Sequence, residues 1–170
     1  GVLFQLRLGL AASAIGTVSA TGSACYAISS LFSAKISSRL GLQKALILGA
    51  MTIALGMGFV PLARFVGGLW PTVWLAIANG TANLGWGIVT SLEPPAYSSS
   101  AKPRQRGHAL GINIGVRNIG RLIGVLAGGV LPGLALVFIP SITANSANAY
   151  SFGLWVSFAI MTLTLWPLLK

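Results

Sequence analysis

Residues 111–129, GINIGVRNIGRLIGVLAGG, are apolar enough to sit in lipid and glycine-rich enough to pack helix against helix, yet they carry Arg117 and Arg121, four residues apart. At about 100° per residue, Gly120, Gly124 and Gly128 fall within one narrow sector of a helix, and Gly129 follows in sequence on another face. Asn113, Arg117 and Arg121 fall in nearly the same sector, closer to the start of the segment. One face is therefore polar at one end and smooth at the other. Such a face cannot meet lipid along its whole length, and the glycines are the expected helix-packing positions.

The rest of the chain has the same character. Of 170 residues 55% are hydrophobic and only 7% charged, with a mean hydropathy of +0.84. A soluble domain carries about a quarter charged residues, so a water-facing surface could not be covered here. An all-α integral membrane protein is expected, with lipid as its surroundings. The formal charge of +10 comes from eleven Lys and Arg against a single acid, Glu93. In a soluble protein that excess would point to nucleic acid. Here the bases sit in short gaps between apolar segments, where positive charge fixes membrane orientation, so no nucleic-acid partner is expected.

A membrane-crossing helix needs about 20 predominantly apolar residues. Five stretches qualify, at about residues 8–32, 45–63, 71–92, 106–139 and 150–169, in one helical domain spanning 1–170. The gap SAKISSRLGLQK carries Lys35, Arg39 and Lys44, and EPPAYSSSAKPRQRGH carries Lys102, Arg104 and Arg106. Both gaps fall on one side when five helices alternate, and Lys170 joins them there. Arg7 and Arg64 fall on the other side. That seven-to-two asymmetry puts loops 34–44 and 94–106 in the cytoplasm. The uncharged gap at 140–149 suits the outer side. Trp70, Trp74 and Tyr150 suit an outer aromatic belt, and Tyr97 and Trp166 an inner one.

These gaps carry a resemblance to the major facilitator superfamily. There, the loop between the second and third helices of each half follows G-x-x-x-D-R-x-G-R-R/K. AKISSRLGLQK at 34–44 matches it at Arg39 and Gly41, and Lys44 keeps a nearby positive charge. Ala34 stands for the first Gly, Ser38 for the Asp and Leu42 for a basic residue. The family's fifth helix often carries g-x-x-x-G-P-x-x-G-G. GRLIGVLAGG at 120–129 is similar, with Gly120, Gly124, Gly128 and Gly129 in place and Val125 where the proline would stand. KPRQRGHALG looks like the preceding loop. In order and spacing the chain resembles helices two to six of a six-helix half. The chain begins at Gly1 rather than Met, and a preceding segment is expected. Ala76 replaces an arginine that the family's fourth helix often carries, so with Ser38 the charges used in proton-coupled antiport are absent.

The resemblance implies a secondary transporter that moves a small solute by alternating access between two halves. The rest of the transporter, or other membrane subunits, would be its partners. The alternative is a non-transporting membrane subunit or assembly factor on the same scaffold. No catalytic residues, cofactor or metal site are expected. Cys25 is the sole cysteine and reads as a packing residue, and His108 has no acid or cysteine at ligand spacing.

A charge at mid-membrane costs from about 3 to over 10 kcal/mol, so Arg117 and Arg121 need an explanation. One is that Asn113, Arg117 and Arg121 line a wet cavity for an organic or phosphorylated anion, since Arg grips carboxylate and phosphate bidentately. The second is that both arginines snorkel to the cytoplasmic interface. The third is that they pair with an acid from outside this chain. Glu93 lies within reach of a loop base and cannot neutralise both arginines.

Overall fold

A computed structural model describes residues 5, 8–67, 70–100, 103–138 and 147–165. The described residues are all-helical, with no strand among them. The α-helices are α1 (Ala12–Leu40), α2 (Leu42–Phe59), α3 (Trp70–Ser100), α4 (Arg106–Phe138) and α5 (Ala147–Leu165). Two short 3-10 segments, Val60–Phe65 and Pro103–Gln105, cap the end of α2 and the start of α4.

α3 is the hub, with α1 packed on one side and α2 on another, while α5 lies against α2 and α4. Packing follows side-chain size. A Cβ on Gly56 would strike the backbone of Ala82 and come within 2.7 Å of the Ala78 carbonyl. One on Gly85 would strike the Gly49 carbonyl and lie 2.7 Å from the Ile53 amide nitrogen. Glycine at these sites lets α2 and α3 approach backbone to backbone, which is how helices associate where hydrophobic drive is weak. Ile53, Ala54, Ala45, Ile88 and Leu92 are buried along this seam.

The α1–α3 seam is polar as well as close. Asn79 donates from Nδ2 to the Val18 carbonyl at 2.9 Å, against the surface left open by Gly22. Tyr26 and Thr90 share a hydroxyl hydrogen bond at 2.9 Å, and Ser30 Oγ reaches the Gly87 carbonyl at 3.4 Å. Elsewhere on α1 the hydroxyls of Thr17, Thr21 and Ser23 donate back to carbonyls four residues earlier. Bonding of this kind satisfies hydroxyls within the helix, without water.

Several boundaries differ from the sequence-based expectation, each for a local reason. α1 continues through the gap at 33–44 to Leu40, and α2 starts at Leu42, so Gly41 alone makes the turn. Its φ of 84° and ψ of 154° belong to a region essentially reserved for glycine. Its amide donates to the Ser37 carbonyl at 2.9 Å and its carbonyl accepts from Ala45 at 3.0 Å. α2 ends at Phe59, where the chain tightens into 3-10 geometry around Pro61. α3 does not stop at EPP but runs through Pro94 and Pro95 to Ser100. The prolines leave the Thr90 and Ser91 carbonyls without their usual amide partners. Ser98 Oγ donates to the Pro95 carbonyl at 3.1 Å and holds the continuing turn. α5 begins at Ala147, within the gap expected at 140–149. Residues 140–146, Arg7, Lys102, Trp166 and Lys170 lie outside the described residues.

Two described helical stretches, Leu42–Phe65 and Arg106–Leu131, are long and apolar enough to cross a membrane, and Tyr150–Leu163 is a shorter apolar helix. Five such spans were expected. α1 and α3 are diluted by Ser, Thr, Asn and Gly, the residues that build their polar seam.

Candidate functional site

α4 positions every residue of the opening stretch. Helical spacing puts Asn113, Arg117 and Arg121 on successive turns of one face, since residues four apart are neighbours. The Arg117 guanidinium pairs through Nη2 with Glu93 Oε2, near the far end of α3. The pair is partly wet, with the Arg117 side chain 44% and that of Glu93 21% exposed. Asn113, one turn earlier, is half-buried on the same side. Arg121, one turn later, is exposed and has no ion-pair partner among the described residues.

This arrangement corrects the reading of Glu93. The acid reaches Arg117 rather than a loop base, so one of the two arginines is neutralised within the chain. The three explanations weighed for the arginines placed any pairing acid outside the chain. What the sequence did hold was a single acid near the end of one segment and an arginine near the start of the next, separated by a short connection. Two antiparallel neighbours bring such positions together.

On α4 the sector that holds Gly120, Gly124 and Gly128 continues the face of Arg117 toward the helix C-terminus. Yet a Cβ at any of Gly120, Gly124, Gly128 or Gly129 would meet nothing within 4 Å. No described helix of this chain packs on them. The contacts between α3 and α4 are sparse, and α4 stands away from the bundle, with none of its most apolar window buried. Toward its C-terminal half Ile123, Leu126, Ala127, Val130 and Leu131 border an apolar recess. The close glycines are instead Gly22, Gly49, Gly56, Gly58, Gly85 and Gly87 on α1, α2 and α3. Their signal was spacing: Gly49 and Gly56 are seven apart on α2, as are Ala78 and Gly85 on α3.

The loop-motif residues sit together at the C-terminal end of α1, the end of the bundle that also holds Leu92. Arg39 and Lys44 are exposed on either side of the Gly41 turn. At the other end of the bundle Arg64 Nη1 donates to Ser151 Oγ at 3.0 Å and lies 4.5 Å over the Phe65 ring, and Ser151 is 1% exposed. Trp74, expected in an aromatic belt, donates from Nε1 to the Phe59 carbonyl at 2.8 Å. There it satisfies one of the carbonyls that a helix C-terminus leaves open.

Comparison with protein-family models, with curated proteins and with solved structures finds no match for this chain.

Proposed function

We propose that this chain is a multi-pass membrane module of a secondary transporter of the major facilitator type, with α4 lining the path of a small anionic solute. The observation that carries the reading is the state of α4. It is a long apolar helix with no buried residue in its most apolar window, yet one face carries a row of uncovered glycines and an arginine with no ion-pair partner among the described residues. An uncovered apolar surface of this size calls for lipid or further helices. A polar and glycine face that no described helix covers calls for a passage or a second helical body rather than lipid.

In this reading the Gly41 turn and the segment from 94 to 106 face the cytoplasm, following the distribution of Lys and Arg. The six-helix partner body comes from elsewhere in the protein or from another subunit. The passage runs between the two bodies and opens alternately to either side. Arg121 meets the solute because it has no counter-charge among the described residues, and Arg117 is held by Glu93 nearer the cytoplasmic entrance. The motif resemblance at 34–44 and 120–129 supports the same assignment.

The test is reconstitution of the protein with its natural membrane partners into proteoliposomes. Time-dependent uptake of an organic or phosphorylated anion, abolished by Arg121→Leu, supports transport. Stable residence in a larger complex, with no uptake across a panel of carboxylates and phosphates, establishes the alternative of a non-transporting membrane subunit.

A further inference from the structure

A second site lies away from α4, in a partly open recess between α2, α3 and α5. A cavity of about 260 Å³ is lined by Gln5, Met57, Val60, Leu75, Asn79, Ala82, Asn83, Trp86 and Leu154. One bound water needs about 15 Å³ measured this way, so the space admits a small molecule. It approaches the lower end of the range for small-molecule pockets, about 300 Å³.

The polar groups of the wall define the guest. Gln5 is only 9% exposed, and its Oε1 is buried with no hydrogen-bond partner. The Gln5 backbone is fixed, because its carbonyl accepts from Leu8 at 3.2 Å and from Leu10 at 3.3 Å. The two asparagines turn amide N–H groups away to the protein: Asn79 to the Val18 carbonyl at 2.9 Å, and Asn83 to Asn79 O at 2.8 Å and Oδ1 at 3.2 Å. Of the wall's polar atoms, Gln5 Oε1 is the one that is both buried and without a donor among the described residues. A buried acceptor without a donor is costly and rare in folded proteins.

The rest of the wall is apolar: Leu75, Leu154, Met57 and the Trp86 ring. No acid lines the cavity, so a cation would bring an uncompensated charge into a chain of net charge +10. An anion would face oxygen acceptors. We infer that this cavity binds a small, neutral, hydroxyl-bearing amphiphile, its O–H donated to Gln5 Oε1 and its apolar body against Leu75, Leu154 and Trp86. The inference stands whether or not the chain transports.

Cyclohexanol is a suitable probe, with methylcyclohexane as the counterpart of similar shape that lacks the donor. The full protein in lipid nanodiscs is titrated with each while melting temperature and tryptophan fluorescence are followed. A ligand that binds only the folded state raises the melting temperature with its concentration. Cyclohexanol should give a saturable rise and a fluorescence change that disappears in Trp86→Phe. Methylcyclohexane should bind about ten-fold more weakly, the effect of one hydrogen bond to an otherwise unpaired group. Gln5→Leu should abolish that preference while melting no lower than wild type, because the unpaired oxygen is gone. Should Gln5→Leu fail to fold, Leu154→Phe serves instead: it fills the cavity, and the saturable response must vanish. Equal binding of the two probes by wild type, or no saturable response, overturns the inference and leaves an apolar void or a water cluster.

Discussion

The one acid of the chain, Glu93 on α3, pairs with Arg117 on α4. That pair separates two arginines that looked equivalent. Arg117 has a counter-charge and ties α4 to α3 about three turns after the helix begins. Arg121, one turn further, has neither. The energetic consequences of removing each side chain are therefore opposite in sign.

Glu93→Gln removes the counter-charge and strands Arg117, a partly desolvated cation. The expected loss is about 1–3 kcal/mol, between the values for wet and buried pairs. The double variant Glu93→Gln/Arg117→Leu should recover most of it, since no lone charge remains. Thermal unfolding of the two single variants and the double variant measures the coupling. Additive losses would show that the pair contributes nothing.

Gly56→Ala should destabilise by about 1–3 kcal/mol, the range for overpacking a filled interface. Its new methyl would meet the Ala82 backbone, which cannot move as a flexible side chain would. Gly124→Ala in the same chain should be neutral or slightly stabilising, as the position is open and alanine favours helix. Gly124→Leu extends the comparison to the assembled protein. A loss of yield or stability only when membrane partners are present identifies the glycine row as their docking face. Equal tolerance in both settings means that the row faces lipid or a passage.

Helix number and order were legible because apolar runs separated by basic gaps survive any uncertainty at their ends. The ends themselves were not. Gly41 looked like one residue of a twelve-residue loop, yet its freedom at positive φ lets a single residue turn the chain, so α1 and α2 run up to it. EPP looked like a stop, but proline interrupts the bonding of the preceding turn without forbidding the next. Composition cannot say which face is covered within the chain itself. Gly120 and Gly124 stand in the open, while Gly56 and Gly85 lie in the tightest contact. Gln5, Asn79 and Asn83 carry no site signal in the sequence, since only folding brings residue 5 to the middle of α3.

The orientation proposed for the loops is open to labelling. With Cys25→Ser as background, a cysteine placed at position 99 should react with an impermeant thiol reagent only after the cells are opened. One at position 67, just after the 3-10 segment, should react from outside intact cells. Reversal of the two results would invert the topology and place the Gly41 turn outside.

Arg121 decides whether α4 lines a solute path. It is exposed, and among the described residues no acid meets it. Removing it strands nothing, so Arg121→Leu should melt at or above the wild-type temperature, unlike Glu93→Gln. Arg121→Lys keeps the positive charge and loses the planar fork that holds two oxygens of a carboxylate or phosphate. For citrate or inorganic phosphate as probe, Arg121→Lys should weaken binding about ten-fold, the difference between a bidentate and a single charged contact. Arg121→Leu should abolish binding, while Asn113→Ala, nearer the entrance, should have a smaller effect. Calorimetric titration of the reconstituted protein, run beside thermal unfolding, reads both quantities. A marked drop in melting temperature for Arg121→Leu would mean that a partner outside the described residues already neutralises this arginine. Where an anion binds the wild type, unchanged affinity in both variants would remove α4 from the path.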